Sequence, residues 1–471
     1  MPQSMHPTVP PLSGPLQALI EDEWEQEVLR QLPANYEQQA HTLGAFVRTR
    51  VQGIQCVGDL LRGLLAYVLC APSFRHMGAW ALLVGLANLS HVAWQKRLRR
   101  ARPFLLWLLS QQLSIPVHAS LPSHTRVLLL DATRLKEPGG NGDDWRVHLG
   151  YDLLAGHLAE VKVHDQHTAE GFTLFDWHAG DVVVADRGYS RRGQLAYVLH
   201  ADAQLVVRLA PQKVPLLDRR GASLDLLRWL KEPGPAQRSC AVAFEHENAC
   251  FLGRLIACAL PEEAAERART KERKRANKQQ RHLKEETLFL CGWLLLFSSL
   301  PSRQWSDEQV LELYRARWQV ELVIKRMKQV LKLAQLRGKT ALTNEATILA
   351  LLLAWSLQQA EVHQARQVLT HAAEQWARSH DLAQGNEGLA TNYRPTVSSW
   401  TTTSLGVQTL RLLVQGWWTF ARLRDCLPCL QRYLCSRRRR DHQESRIRRH
   451  LLAHPALLVS DAALLVSCSS P

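Results

Sequence analysis

Two aspartates follow short apolar runs that have the pattern of buried β-strands. Asp131 ends the run VLLLD, and Asp186 follows VVVA within VVVADRGY. Strand-terminal carboxylates lie at the edge of a sheet, where α/β proteins commonly place their sites. Two on neighbouring strands would concentrate negative charge, which hard divalent cations such as Mg²⁺ or Mn²⁺ neutralise through oxygen ligands. The pair therefore predicts an acidic, cation-binding pocket, although a single aspartate after a strand is more often a turn residue.

A third acidic residue lies on an amphipathic helix that the pattern predicts from Asp307 to Leu333, with Ser306 suited to its N-cap. Four polar side chains of this helix fall within an arc of about 60°: Tyr314, Arg317, Glu321 and Lys328. The stripe places one acid among three groups able to hold phosphate. A salt-bridged solvent face is the alternative, because Arg317 and Glu321 are four residues apart. A chance match to this spacing is expected roughly once in a few hundred such chains.

The chain has a net charge of +15, from 58 Lys and Arg against 43 Asp and Glu. Basic blocks occupy residues 95–103, 267–284 and 436–450. Any one block alone indicates a solvated basic face of a helix. Three blocks together indicate a protein that binds nucleic acid, because basic side chains that neutralise phosphates release counterions. The central block supplies candidate DNA contacts at Lys271, Arg273, Lys274 and Arg275.

The composition excludes several classes of protein. Hydrophobic residues make up 46% of the chain and charged residues 21%, which is typical of a globular protein. The longest apolar runs, Leu288–Leu300 and Ile348–Trp355, are shorter than the roughly 18 to 20 residues that span a membrane. The first residues do not resemble a secretory signal. We therefore expect a cytoplasmic protein that does not use a membrane.

The pattern of apolar residues predicts an α/β protein (α+β overall) with a mixed-sheet core. Within that core, residues 167–178 are expected to be helical. The predicted organisation is a disordered lead (1–19), a helical N-terminal DNA-binding domain (20–117), the first part of the core (118–210), an insertion with short strands and the basic segment (211–292), the part of the core with the Glu321 helix (293–360), and a helical C-terminal extension with a basic tail (361–471).

Together, Asp131, Asp186 within DRGY, and Glu321 within YRARWQVELVIKRMK resemble the DDE transposases of the insertion-sequence-four type, whose signature is YREK. The resemblance implies an RNase-H-like catalytic core. It implies that the three acids bind two Mg²⁺ or Mn²⁺ ions and catalyse phosphoryl transfer. By the same resemblance, Tyr314, Arg317 and Lys328 would hold a phosphate near the transposon end, and Trp293 would stack on a flipped base.

The resemblance also implies an activity and its partners. The expected activity is cut-and-paste transposition, with strand cleavage, a hairpin intermediate and strand transfer. The expected partners are double-stranded DNA, as terminal inverted repeats and as target, and a second copy of the chain in a synaptic complex. Two alternatives stay open: a transposase-derived protein that binds DNA without cutting it, and an RNase-H-like nuclease that does not join strands.

Overall fold

A mixed β-sheet of eight strands organises the protein. The computed structural model describes residues 23–47, 53–71, 73–114, 126–140, 144–384, 396–415, 435–436 and 450–454. The predicted lead (1–19) lies outside these residues, as does the basic block 436–450 apart from its two end residues.

The strands of this sheet are β1 (Val127–Leu135), β2 (Trp145–Asp152), β3 (His157–Asp165), β4 (Val182–Ala185), β5 (Gln204–Arg208), β6 (Gln237–His246), β7 (Ala249–Ala259) and β8 (Trp293–Ser298). Their order is β3-β2-β1-β4-β5-β8-β7-β6. β4 lies parallel to β1 and to β5, and the other neighbouring strands are antiparallel. Two further strands, β9 (Thr396–Val397) and β10 (Cys435–Ser436), form a separate pair.

Among the described residues, the helices precede, interrupt and follow the sheet. Six come before it: α1 (Trp24–Glu27), α2 (Tyr36–Thr42), α3 (Val57–Leu69), α4 (Phe74–Leu83), α5 (His91–Arg100) and α6 (Arg102–Leu113). Four lie between its strands: α7 (Arg192–His200), α8 (Leu226–Lys231), α9 (Glu262–Lys278) and α10 (Glu285–Leu290). Four come after β8: α11 (Asp307–Ala316), α12 (Trp318–Val330), α13 (Ala341–Gln384) and α14 (Ser399–Gln415). The predicted α/β class with a mixed-sheet core is confirmed. No helix within the described ranges is both long and apolar enough to cross a membrane.

The register of β1 and β4 brings the two aspartates level with each other. Leu129 pairs with Val184, and each aspartate lies two residues further along its strand. Asp186 follows the end of β4, as predicted, but Asp131 does not end β1. β1 continues to Leu135 because β2 remains paired with it as far as Trp145. The prediction that the strand ends at Asp131 is therefore wrong, although Asp131 does lie where the parallel part of the sheet ends.

The predicted single helix from Asp307 to Leu333 is divided at Arg317. The Arg317 N–H donates to Tyr314 O and the Val320 N–H donates to Arg317 O, both at three-residue spacing. Such a tightened turn interrupts the regular α-helical pattern and separates α11 from α12. The N-terminus is as expected, since Ser306 and Gln309 form a reciprocal capping box.

The expected helix over residues 167–178 is also wrong. The segment contains one 3₁₀ turn, Phe172–Leu174. At its start, the Asp165 carboxylate accepts hydrogen bonds from the His167 and Thr168 backbone N–H groups. Such a local side-chain turn competes with helix formation.

The sheet separates two apolar cores. Alternate residues of β1 and β2, such as Leu129 and Val147, pack with α3, α5, α6 and α11–α14 in the larger core. The opposite face, including Leu130, packs with α7 and with apolar residues of β6, β7 and β8. The N-terminal helices therefore share a core with the helices that follow β8.

Candidate active site

Three neighbouring strands bring charged residues to one edge of the sheet. Asp131 lies on β1, Asp186 follows β4, and Arg208 ends β5, where Val207 pairs with Ala185. The Ala132 backbone N–H donates to Asp131 Oδ1 over 2.8 Å. The parallel register of β1, β4 and β5 therefore brings the two aspartates and one arginine together.

The helices α11 and α12 supply the other half of the site. The Tyr314 hydroxyl donates to Asp186 Oδ1 over 3.2 Å. Arg317 Nη2 lies 2.6 Å from Glu321 Oε1, and Arg317 Nη1 lies 3.7 Å from Asp131 Oδ2. Arg317 also interacts electrostatically with Asp186. Asp131 and Glu321 therefore both contact the guanidinium of Arg317, which is only 12% exposed, and Asp186 is held by Tyr314 one turn earlier.

The two aspartates differ in the direction of their pKa shifts. Burial raises the pKa of Asp131 to about 6. The Ala132 N–H and the charge of Arg317 lower this pKa, whereas repulsion from Glu321 and Glu170 raises it. Burial also raises the pKa of Asp186, but the Arg187 N–H, the charges of Arg317 and Arg208, and the Tyr314 hydroxyl together lower it below its usual value. Without another cation at the site, Asp186 is the more readily ionised of the pair.

The helix residues are shifted by the same charges. Burial, followed by the charge of Asp186, raises the pKa of Tyr314 to about 12. Burial lowers the pKa of Arg317, but Tyr314, Asp186 and Glu321 more than offset this effect and raise it. Arg317 is therefore a fixed positive charge, and Tyr314 is a neutral hydrogen-bond donor at neutral pH.

The donor set suits a divalent metal ion, but the side chains are arranged around Arg317. Within the part of the chain that the structure describes, no three His, Cys, Asp or Glu side chains form a group that could hold a metal ion. Carboxylate oxygens are the ligands that Mg²⁺ and Mn²⁺ prefer. Because the guanidinium contacts both Asp131 and Glu321, these acids can share a metal ion only if Arg317 moves away from them.

The remaining predicted DNA contacts lie further from the three acids. Lys328 is half-buried on α12, about two turns after Glu321. Trp293 begins β8, whose N-terminal end lies at the same edge of the sheet as Arg208, because Arg208 pairs with Leu296. The Trp293 ring is half-buried, and the guanidinium carbon of Arg238 lies 5.5 Å from its centroid. A base that stacks on this ring must therefore share it with Arg238.

Much of the positive charge on α9 is neutralised within the helix itself. Arg273 pairs with Glu266 at 2.7 Å, and Arg275 lies 3.9 Å from Glu272. Among the described residues, Lys271 and Lys274 form no ion pair. Of the four predicted contacts, these two lysines therefore have the charge most available for a phosphate.

The sequence did not indicate Glu170, Tyr189 or Arg208 as members of the site. Glu170 interacts electrostatically with Asp131, and its carboxylate fills the space that a side chain at Gly188 would need. The Tyr189 hydroxyl is buried, with no hydrogen-bond partner in the described part of the protein.

Arg208 could have been found, since it follows the apolar strand QLVV as Asp186 follows VVVA. Glu170 carries no such signal, because it lies in an irregular segment.

Comparison with known proteins gives the family. The family described as "Transposase DDE domain" matches residues 122–357, which contain all three acids. The transposase for insertion sequence element IS421 of Escherichia coli is 34% identical over 334 residues, covering 68% of this chain and 89% of that protein. A protein of Escherichia coli K12 named as transposase InsL for insertion sequence element IS186A is 34% identical over 330 residues, with the same coverage.

Among solved structures, a piggyBac transposase synaptic complex with hairpin DNA aligns with 97% of this chain and 87% of that chain, at 9% identity and a TM-score of 0.38. A likeness this low carries no argument here. The family match and the two relatives are sufficient without it: this chain belongs to the DDE transposase family.

Proposed function

We propose that this chain is an insertion-sequence transposase that cleaves and joins DNA strands with the help of divalent metal ions. The observation that carries the proposal is the contact of Asp131, Asp186 and Glu321 with the single turn Tyr314–Arg317, within the region that matches the transposase DDE domain. Metal-dependent phosphoryl-transfer enzymes hold their ions with carboxylates gathered at one place, and these three acids would supply such ligands.

Asp131, Asp186 and Glu321 would hold two ions, Mg²⁺ or Mn²⁺. When bound, such a pair activates the attacking oxygen and stabilises the leaving oxygen of a phosphodiester. This assignment is supported by the register of β1 and β4, which sets the two aspartates level with each other, and by Arg317, which contacts both Asp131 and Glu321.

Arg317, Tyr314 and Lys328 would hold a phosphate of the transposon end. Arg317 presents a planar set of donors that suits phosphate, and Tyr314 remains protonated at neutral pH. We infer that Arg317 exchanges its carboxylate partners for DNA phosphate when metal and DNA bind together. Trp293 would stack on a flipped base, and Lys271, Arg273, Lys274 and Arg275 would contact flanking DNA.

The course of the reaction is proposed as cut-and-paste. Water would attack first and leave a 3′-hydroxyl at the transposon end. That hydroxyl would next attack the opposite strand to close a hairpin, and after hairpin opening would attack target DNA. Two copies of the chain would hold two ends in one synaptic complex.

The test uses duplexes that carry the inverted repeats flanking the gene. Asp131→Asn, Asp186→Asn and Glu321→Gln should each reduce Mg²⁺-dependent nicking at least about a thousandfold, because each removes a metal ligand, while binding to the duplex stays within a few fold. Glu245→Gln, an exposed acid on β6, is the matched control and should nick like the wild type. A triad variant that nicks at the wild-type rate would refute the assignment.

The same reactions separate the alternatives. A nuclease would nick but form neither hairpin nor joined product on a denaturing gel. A protein that only binds DNA would shift the duplex without nicking it in Mg²⁺ or Mn²⁺. Light scattering gives the mass of the complex with end DNA and so tests whether a second copy of the chain is present. A synaptic complex contains two chains and two duplexes.

A further inference from the structure

Two long stretches of the chain contain no acidic residue, and the structure packs them against each other. Residues 60–130 and 322–344 contain no Asp or Glu, although each stretch has several Lys and Arg. The first stretch includes most of α3 and all of α4 to α6, and the second includes most of α12 and the start of α13. Positive charges without acidic neighbours repel one another, and an anionic polymer that binds there removes this repulsion.

The segment between α12 and α13, residues 331–340, crosses the ends of two N-terminal helices. Arg337 Nη1 donates to Ala71 O, just after the end of α3. Arg99 Nε, near the end of α5, donates to Thr343 Oγ1 in the first turn of α13 over 2.8 Å. These contacts hold the segment beside the C-terminal turn of α5, so basic side chains from both stretches lie on neighbouring elements.

The exposed basic side chains of these two elements form a surface that we call the basic face. Each of them is exposed and forms no ion pair with a described acid: Lys96 and Arg100 of α5, and Lys332, Arg337 and Lys339 of the segment 331–340. The first acid after this segment, Glu345, pairs with Arg102 at 2.8 Å. The described part of the protein therefore leaves the positive charge of the basic face without a counter-charge.

The basic face lies within reach of DNA bound at the three acids. Glu321 is in the first turn of α12, and Lys332 follows the end of that helix. At roughly 1.5 Å per residue, Lys332 is about 16 Å from Glu321 along the helix axis. Because duplex DNA rises about 3.4 Å per base pair, this distance corresponds to about five base pairs. A duplex with one phosphate at the acids can therefore also contact the basic face.

The chemistry of the basic face suits DNA of any sequence. Lysine and arginine on an open surface bind backbone phosphates, which carry no direct sequence information, whereas sequence is read through contacts with base edges. The strand-transfer step needs a surface of this kind, because the target is a second DNA that does not have to carry the sequence of the transposon end. Tyr314 and Arg317, which we assign to the transposon end, lie at the acids themselves and not on the basic face.

We propose that the basic face binds the phosphate backbone of target DNA during strand transfer. This inference rests on the proposed function. It gives a role to the basic block 95–103 and joins to it the segment 331–340, which lies far away in the sequence. Because the contacts are electrostatic, binding of target DNA depends strongly on the salt concentration.

The experiment separates strand transfer from cleavage. An end duplex that already has a free 3′-hydroxyl is incubated with plasmid target and Mg²⁺, and the joined product is measured. The triple variant Arg100→Gln, Lys332→Gln and Lys339→Gln should join at least about tenfold less than the wild type, while nicking and binding of the end duplex stay within about twofold. Lower salt or excess target should restore joining, because the variant loses affinity for the target and keeps its chemistry.

Two control variants are matched to the triple variant. One exchanges lysine and arginine at the same three positions, keeps the charge, and should join like the wild type. The other removes three positive charges from exposed positions between β5 and β6, by Arg219→Gln, Arg220→Gln and Arg228→Gln, and should also join normally. An equal loss of joining in this second control would mean that net charge alone is responsible, and would overturn the assignment.

A binding measurement counts the phosphate contacts. For the protein assembled on end DNA, the affinity for a labelled target duplex is measured in Ca²⁺ at several salt concentrations. Each lost contact should reduce the slope of log K against log salt by about 0.9, so the triple variant should lose about 2.7. Circular dichroism shows whether each variant is folded.

The outcomes distinguish the roles of the basic face. Normal joining and an unchanged salt slope in the triple variant would refute the inference, while normal nicking by the wild type would leave the proposed function standing. Loss of end binding and nicking together with joining would mean that the basic face holds the transposon end, and would overturn the assignment to target DNA. If the wild type neither nicks nor joins, the proposed function fails and the inference fails with it.

Discussion

Arg317 occupies the position between Asp131 and Glu321 where a metal ion would be bound. Its distances of 3.7 Å and 2.6 Å to their oxygens give both acids a positive neighbour in a half-buried site. Such a neighbour favours ionised carboxylates and so keeps them as potential ligands, but it also competes with a metal ion for the same oxygens. On the proposed assignment, Arg317 would stabilise the DNA-free site and compete with the metal.

Arg317→Met should therefore bind metal more tightly than the wild type when DNA is absent. Methionine retains much of the aliphatic length and removes the competing charge, so we expect about tenfold tighter Mn²⁺ binding, or about 1.4 kcal/mol. The measurement is titration calorimetry or the electron paramagnetic resonance signal of free Mn²⁺. Arg315→Met, which changes an exposed arginine two residues away, should bind Mn²⁺ like the wild type. Unchanged or weaker binding by a folded Arg317→Met would show that the guanidinium does not compete with the metal.

Residue types and spacing were enough to select the central part of the site. The acids at 131, 186 and 321 and the donors at 314 and 317 were chosen from two apolar runs and one helical stripe, and the structure brings them into contact. Glu170 could not be chosen in this way. Its position depends on the turn after β3, which no short sequence pattern specifies.

The hairpin β6–β7 holds the helix that carries Tyr314. Arg254 on β7 pairs with Asp307 at the start of α11 over 2.7 Å, and its Nη2 donates to Trp305 O over 2.8 Å. Both charged side chains are at most one fifth exposed. The added hairpin β6–β7 therefore extends the sheet and also anchors α11.

Arg254→Met should destabilise the protein and reduce cleavage together. Removing the guanidinium leaves the mostly buried Asp307 without its partner, which we expect to cost about 1 to 3 kcal/mol in the free energy of unfolding. Denaturant unfolding measures this loss, and the nicking assay measures the effect on Tyr314. Arg303→Met, at an exposed arginine shortly before α11, should change stability by less than about 0.5 kcal/mol. A normal melting curve and nicking rate for Arg254→Met would contradict the anchoring role.

The sequence predicted the individual elements better than their ends. The apolar run that became β4 and the capped start of α11 were predicted correctly. The break at Arg317 was not predicted, because the apolar periodicity continues through it and the tightened turn is a local backbone adjustment. The length of β1 depends on its pairing with β2, which the residues after Asp131 do not reveal.

At the scale of the molecule, the N-terminal helices and the catalytic region share one core. α6 packs on α13, and Leu108 and Leu349 are both fully buried in the larger core. Polar contacts cross the same boundary: Arg102 pairs with Glu345 at 2.8 Å, and Arg99 Nε donates to Thr343 Oγ1 over 2.8 Å. A division at residue 117, as the sequence predicts, therefore separates groups that bury each other.

A chain that begins at residue 118 should consequently lose its cooperative fold. Removing α1–α6 would expose apolar side chains of α13 and of β3, against which α6 packs, and burial of each such side chain is worth roughly 1.5 to 3 kcal/mol. Because domains are stable by only about 5 to 15 kcal/mol in total, exposure of several of these side chains is enough to unfold the remainder. We expect a fragment without a cooperative thermal transition that binds a hydrophobic dye strongly, while the full chain melts sharply.

Supplying residues 1–117 as a separate polypeptide should restore part of the transition, since the two pieces bury the same surface. If the fragment melted cooperatively and nicked end DNA by itself, the N-terminal helices would be a separable unit and the shared core would be dispensable.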